Sequence, residues 1–137
     1  MLVLLLLGVS ATIVLPNIDK GLRDREARIA ALNLAAVARD LRSRALSEGV
    51  PQALALNVPQ NSYLVGKSRD VRLPADVRFV SIEGGEPTER DVRTFYFFPN
   101  GSTLGGTIVL GAEASAAYRI RVEALTGRVE VGRADPS

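Results

Sequence analysis

The first 48 residues form a segment that is too long to be buried by the rest of the chain. Residues 1–15 contain twelve apolar residues, and the first charge in the sequence is Asp19. From Asn17 to Glu48 apolar residues recur at helical spacing, and Gly49 marks the end of this pattern. One helix of this length measures about 70 Å at 1.5 Å per residue. We therefore expect part of it to contact a membrane or another protein chain.

The apolar beginning, residues 1–16, has the character of a helix that lies in a membrane or in the core of a filament. It is slightly shorter than the roughly 20 residues that cross a bilayer. No basic region precedes it and no small-x-small cleavage site follows it, so it does not fit a cleavable secretory signal. Pro16 lacks an amide hydrogen and should kink the helix. The side chains expected to face lipid or neighbouring helices are Leu4, Leu5, Leu6, Leu7, Val9, Ile13 and Val14, together with Pro16.

Residues 17–49 are predicted to form an amphipathic helical stalk. Two apolar stripes, displaced from each other, run along it. The first stripe consists of Ile18, Leu22, Ile29 and Leu32, and the second of Leu34, Val37, Leu41 and Ala45. Acidic and basic residues also stand four positions apart, as in Asp19/Arg23, Asp24/Arg28 and Asp40/Arg44. Such pairs contribute only a few tenths of a kcal/mol each, and they fit either a solvated face or the register between neighbouring subunits.

After Gly49 the apolar period changes to two, which predicts a β-rich head over residues 50–137. Turn signals such as Pro99-Asn100-Gly101 and Thr126-Gly127 separate the apolar runs. We predict antiparallel sheets packed on each other and on the helix, and hence an α+β fold. The predicted strands are Ala53–Val58, Ser62–Val65, Val77–Ile82, Thr94–Phe98, Thr107–Leu110, Tyr118–Ala124 and Arg128–Val131.

The composition argues against catalysis. The chain has no cysteine and no histidine, which excludes thiol nucleophiles, disulfides, Cys/His zinc sites and histidine bases. The acidic run from Glu83 to Asp91 lacks the oxygen spacing of a calcium loop. Pro99–Gly106 lacks the lysine of a phosphate loop and is predicted to connect two strands. We therefore expect no enzyme activity, no cofactor and no metal ion.

Four segments carry patterns that occur together in one protein family. Met1–Pro16 is similar to the apolar helix that follows a prepilin cleavage site, and Val37–Ala45 to an Ala-Arg-x-x-Ala stalk end. Phe97–Gly106 is similar to Phe-Pro-Asp-Gly-Ser-x-x-Gly-Gly, and Leu125–Val129 to a Leu-Thr-Gly-Arg hairpin. The chain thus resembles the minor pseudopilin H of type II secretion systems, in the GspH/FimT family of type IV pilin-like proteins. The motif positions are Phe97, Phe98, Pro99, Asn100, Gly101, Gly105, Gly106, Thr126, Gly127 and Arg128.

This resemblance implies a pilin-like α+β fold, in which a long N-terminal helix packs on a C-terminal antiparallel β-sandwich. It implies a structural subunit at or near the tip of the type II secretion pseudopilus, which serves protein secretion across the outer membrane. The implied partners are major and minor pseudopilins, the inner membrane, and secreted substrate or the outer-membrane secretin. The implied location is the inner membrane, with a single span and the C-terminal domain in the periplasm. The family's basic leader, removed before methylation of the new N-terminus, does not precede Met1, so we expect Met1 to lie a few residues inside the mature helix.

A FimT-like minor pilin that binds DNA for uptake is the alternative that the resemblance leaves open. Its phosphate contacts would be arginines near the C-terminus. Glu123 and Glu130 interrupt this group, and the formal net charge is only +2. Nucleic acid is therefore not favoured as a partner. The candidate DNA contacts are Arg119, Arg121, Arg128 and Arg133.

Overall fold

A computed structural model describes the backbone of residues 2–89, 91–112 and 117–134. Side chains are described for Leu22 and for residues 24–88, 91–112 and 117–134. The apolar side chains predicted to face lipid or neighbouring helices, which all lie between Leu4 and Pro16, are therefore outside the described set.

A single helix, α1, runs from Leu2 to Glu48 and passes through Pro16 without interruption. The kink expected at Pro16 stays a prediction. The helix ends where the sequence indicated, because Gly49 adopts a φ of +68° and its amide donates to the carbonyl of Ala45 at 3.0 Å. A glycine in this left-handed conformation is a common helix terminator. Among the described residues, no helical segment is both long enough and apolar enough to cross a membrane.

Nine strands follow the helix within the described ranges and form two antiparallel sheets. The first sheet has the order β3-β2-β1-β6-β5, and the second has the order β4-β7-β8-β9. The strands are β1 (Gln52–Asn57), β2 (Ser62–Val65), β3 (Arg69–Arg72), β4 (Val77–Gly84), β5 (Glu86–Glu89), β6 (Val92–Phe97), β7 (Gly106–Ala112), β8 (Ala117–Val122) and β9 (Val129–Ala134).

The seven predicted strands are present, β2 with the predicted ends and the other six with shifted ends, but two further strands were not predicted. Strand β3 reads Arg-Asp-Val-Arg and strand β5 reads Glu-Pro-Thr-Glu. Neither contains an alternating apolar run, since both lie at the edges of the first sheet. Hydrogen bonding to β2 and β6, rather than burial of their side chains, defines these two strands.

The helix packs against both sheets through a face made mostly of alanine. Alanine side chains allow the strands to approach the helix axis closely, and the larger Leu34 and Leu41 fill the remaining space. The opposing core comes from both sheets, for example Phe95 from the first and Ile120 from the second. The buried helix residues are Ala27, Ala30, Ala31, Leu34, Ala35, Ala38, Leu41 and Ala45. The observed architecture is the predicted pilin-like α+β fold.

Candidate functional site

The side of α1 that points away from the sheets carries exposed apolar residues. Leu22, Ile29 and Leu32 are 48%, 49% and 45% exposed, and Ala36 is also exposed. Their separations of seven, three and four residues place them on one face of the helix, opposite the buried alanines. We call these four residues the outer helix face. Leu22, Ile29 and Leu32 belong to the first predicted stripe, and Ala36 extends it by one turn. The remaining member of that stripe, Ile18, has no described side chain.

The predicted ion pairs of the stalk are only partly observed. Arg44 Nε lies 3.1 Å from Asp40 Oδ2, as predicted. Asp24 does not pair with Arg28 in the described structure. Instead, Tyr118 Oη donates to Asp24 Oδ1 at 3.0 Å, and Arg133 Nη2 lies 3.9 Å from Asp24 Oδ2. Asp24 thereby connects the helix to strands β8 and β9. The third predicted pair, at positions 19 and 23, lies outside the described side chains.

Three of the sequence motifs meet at Arg42. Its guanidinium Nε donates to the carbonyl of Thr126 at 3.1 Å, within the Leu-Thr-Gly-Arg turn. A methyl group added at Gly127 would lie 2.7 Å from Arg42 Nε and would overlap the carbonyl oxygen of Gly101. Gly101 belongs to the Phe-Pro-Asn-Gly loop, so this loop, the hairpin turn and the end of the stalk share one contact. The glycines at these positions are there for packing and backbone conformation.

The loop between β6 and β7 is held by Thr103. Its hydroxyl donates to the carbonyl of Glu123 at 3.0 Å and accepts from the amide of Gly105 at 3.0 Å. The amide of Thr103 donates to the carbonyl of Ala124 at 2.8 Å. Thr103 is itself buried, so these hydrogen bonds fix the glycine-rich loop to the end of β8. This is the strand-connecting loop that the sequence predicted.

A groove lies between the helix and strand β9. It has a volume of about 730 Å³, and Arg39, Arg42 and Ser43 form its helix side. Residues 127–131 form its other side. Arg39 Nη2 donates to the carbonyl of Val129 at 2.8 Å, across one end of the groove. We call this the α1–β9 groove. Arg39 and Arg42 belong to the stalk motif of the sequence, and only the fold brings them next to β9.

The four candidate DNA-contacting arginines do not form one uninterrupted basic surface, because three of them line a shallow pocket that also contains Glu130, and Arg128 lies outside it. Arg119 and Arg121 alternate with the buried Ile120 and are exposed on the outer side of the second sheet. The side chain of Arg133 lies on the other face of this sheet, the face that packs on the helix, and it reaches Asp24 there. Arg128 Nε lies 3.2 Å from Glu130 Oε1, which neutralises part of its charge. A continuous basic stripe of the kind that tracks a phosphate backbone is not formed by these residues.

No group of three or more potential metal ligands occurs among the side chains that the structure describes. The acidic run that begins at Glu83 forms the end of β4 and strand β5. Among the described groups, Tyr63 has a pKa raised above its ordinary value, mainly because burial disfavours the phenolate and in spite of the opposing charge of Arg69. Tyr63 belongs to the core cluster, and it also lines a pocket between the helix and the first sheet, together with Asp40 and Arg69.

The helix and the two sheets define a pilin-like α+β fold. Two solved structures of the minor pseudopilin EpsH from the type II secretion system of Vibrio cholerae share this fold. The first has a TM-score of 0.64 and 14% identity, and covers 79% of this chain and 97% of that one. The second has a TM-score of 0.64 and 13% identity, and covers 82% of this chain and 99% of that one. No protein-family model and no curated protein sequence matches the chain. At this identity the similarity establishes the fold.

Proposed function

We propose that this chain is a minor pseudopilin, a structural subunit that assembles with other pseudopilins in a type II secretion system. The observation that carries the proposal is the similarity to the solved EpsH structures, which extends over almost the whole of each solved chain and most of this one. The four sequence motifs support it independently. Three of them meet at Arg42 in the folded chain.

The outer helix face supports an assembly role in physical terms. Residues such as Leu22, Ile29 and Leu32 are not needed to bury the sheets, because the alanine face of the helix does that. An apolar stripe left exposed on one side of a helix is suited to contact another helix. The stripe lies on the same helix as the apolar residues 1–16, and in this proposal both segments contact neighbouring subunits.

In this proposal residues 1–16 hold the subunit in the inner membrane with a single span, and the head lies in the periplasm. Assembly exchanges lipid contacts for contacts between helices. The subunit takes its place at or near the filament tip, where the head contacts other minor pseudopilins and secreted substrate or the secretin. Its role is structural rather than catalytic, and the energy for assembly comes from outside the chain.

The test is deletion of the gene from its source bacterium, followed by complementation. We expect deletion to abolish the appearance of type II substrates in the culture medium, and the wild-type gene to restore it. Complementation with Ile29→Glu plus Leu32→Glu should fail, because two carboxylates on the outer helix face oppose its burial against another helix. Val80→Glu is the matched control, since Val80 is 62% exposed but lies on β4 of the head.

The same strains distinguish the alternative. If secretion is unchanged by the deletion while DNA uptake is lost, the chain is a FimT-like minor pilin and the secretion proposal is wrong. If the double glutamate variant secretes as well as the Val80→Glu variant, the outer helix face is not an assembly surface. The amount of each variant in the membrane fraction must match that of the wild type for these comparisons.

A further inference from the structure

Strand β9 is an open edge of the second sheet. In the order β4-β7-β8-β9 it pairs with β8 on one side and with no described strand on the other. Successive residues of an antiparallel strand direct their amide and carbonyl groups alternately to its two sides. The carbonyl of Arg128 accepts from the amide of Glu123, on the β8 side, whereas the carbonyl of Val129 accepts from Arg39 on the helix side. By this alternation the amide and carbonyl groups of Val131 and Arg133 also point away from β8.

The outer face of β9 is unobstructed at Gly132, which is the cross-strand partner of the exposed Arg119. Gly132 lies between the two outward-pointing residues, and a methyl group added there would meet no atom of the described structure within 4 Å. Gly132 therefore is not required by the packing of this head. Its conformation is not left-handed either, so neither backbone strain nor a close internal contact explains a glycine in mid-strand. A glycine of this kind is typical of positions where a second backbone approaches closely.

The charges beside this edge are mostly positive. Arg39, Arg42 and Arg128 line the α1–β9 groove, against Glu130 as the single acid in its lining. Arg39 and Arg42 each donate to a backbone carbonyl, and neither forms an ion pair with a described carboxylate. A guanidinium group has five N–H donors, so most of their donors remain available. The groove therefore favours a ligand with carboxylates.

We propose that the free edge of β9 binds an extended acidic segment of a partner protein, which adds to the second sheet as a further strand. Its backbone would pair with Val131 and Arg133, and carboxylate side chains would reach Arg39 and Arg42 in the α1–β9 groove. A groove between a strand edge and a helix is suited to this mode of peptide binding. The backbone pairing provides affinity, and the arginines select acidic side chains because charged hydrogen bonds to carboxylates are strong.

The proposal does not depend on the secretion role, since the edge and the arginines are properties of the head alone. It also differs from DNA binding in its chemistry. The free edge offers carbonyl acceptors as well as amide donors, and a phosphate, which only accepts, would leave those carbonyls unpaired. A polypeptide backbone satisfies both.

The probe is a blocked peptide of about seven residues that alternates glutamate and valine, a length that matches a strand such as β9. Its binding to the full-length protein in detergent would be measured by calorimetry, together with hydrogen exchange at individual amides. We expect binding that weakens with added salt, and slower exchange at the amides of Val131 and Arg133. The same peptide with lysine in place of glutamate should not bind.

Arg133→Pro tests the backbone contact, and Arg133→Ala is its matched control. Both remove the side chain, but only proline removes the outward amide hydrogen, at an edge position where proline is tolerated. We expect the proline variant to bind about tenfold more weakly than the alanine variant. Arg39→Gln should also weaken binding, whereas Arg44→Gln, outside the groove, should not.

Three results would overturn the proposal: no binding of the acidic peptide, equal binding of the lysine peptide, or unchanged exchange at Val131 and Arg133 when the peptide is bound. Circular dichroism reports whether Arg133→Pro is folded. Should that variant unfold, the exchange measurement on the wild-type protein still decides the question, because it needs no substitution.

Discussion

At the scale of single residues, the contact between Arg42 and Gly127 is the clearest constraint on the sequence. Gly127 has a φ of +71°, which side-chain-bearing residues rarely adopt, and its α-carbon faces both Arg42 and the carbonyl of Gly101. We predict that Gly127→Ala lowers the free energy of unfolding by about 2–4 kcal/mol, from backbone strain and displacement of Arg42 together. Chemical denaturation of the full chain, followed by circular dichroism, measures this.

Gly132→Ala is the control for that substitution. Its added methyl group meets nothing within 4 Å and its backbone conformation suits alanine. We expect a change within about 0.5 kcal/mol, which is usual for exposed sites. Equal destabilisation by the two substitutions would mean that the contact at Gly127 does not limit stability.

Tyr63 provides a prediction for alkaline pH. Its pKa is raised in the folded protein because the buried phenolate loses its hydration, with Arg69 opposing the effect. A raised pKa means that the folded state holds the proton more tightly than the unfolded state does. The stability that this provides is complete below the ordinary tyrosine pKa of about 10 and is lost as the pH rises through the folded value.

The expected result is a fall in the free energy of unfolding above about pH 10 that is smaller in Tyr63→Phe than in the wild type. Denaturation at a series of pH values measures it, and ultraviolet absorbance of tyrosinate follows the ionisation. Tyr96→Phe serves as the control, since Tyr96 is only partly buried. An identical alkaline fall in wild type and Tyr63→Phe would contradict the assignment.

At the scale of elements, the helix shows why hydrophobicity alone did not identify its buried face. The pattern predicted two stripes, and the more hydrophobic first stripe, with Leu22, Ile29 and Leu32, is the exposed one. Side-chain size determines which face is buried, because the sheets approach the helix closely and only small side chains such as alanine fit at most positions of the interface. The C-terminal end of the helix at Gly49 and the turn at Gly127 were predictable from local chemistry. Arg42's partners were not, because they depend on the packing of three separate segments.

Leu34 and Leu32 allow a direct comparison of the two helix faces. Leu34 is fully buried and Leu32 is 45% exposed, although they lie two positions apart on the same helix. We predict that Leu34→Ala lowers the free energy of unfolding by about 2–5 kcal/mol, as for other buried leucines. Leu32→Ala should change it by less than about 1 kcal/mol. Denaturation of the two variants in the same buffer measures the difference, and equal losses would contradict the assignment of the faces.

The edge strands β3 and β5 could not be predicted from an alternation of apolar residues. Their side chains carry little apolar character, and β5 contains Pro87. Proline is tolerated at a sheet edge, where one side of the strand has no hydrogen-bonding partner. Strands of this type are defined by backbone hydrogen bonds to a neighbouring strand. They can therefore be recognised only from the structure, in which β3 pairs with β2 and β5 pairs with β6.

At the scale of the whole molecule, the helix extends well beyond the head that it supports. The buried helix residues run from Ala27 to Ala45, and Asp24 makes the connection to Tyr118 and Arg133 that lies furthest towards the N-terminus among the described contacts. The backbone of α1 continues from there back to Leu2. All the buried helix residues among the described side chains therefore lie in the C-terminal half of α1. The sequence predicts a division of the helix between a half that packs on the head and a half that contacts a membrane or another chain, and for residues 1–21 this division stays a prediction.

Removal of residues 1–21 tests this division. The described core begins at Ala27, and the hydrogen bond between Tyr118 and Asp24 is retained in the truncated chain. We therefore predict that this chain folds and that the β-sheet signal in its circular dichroism spectrum is unchanged. Its midpoint of thermal unfolding should lie within about 4 °C of that of the full chain, the shift that roughly 1 kcal/mol produces in a domain of this size. Binding to lipid vesicles should be lost, because the apolar residues 1–16 are gone. Circular dichroism melting and vesicle flotation measure the two properties separately. A head that fails to fold without residues 1–21 would show that the apolar half of the helix contributes to the core.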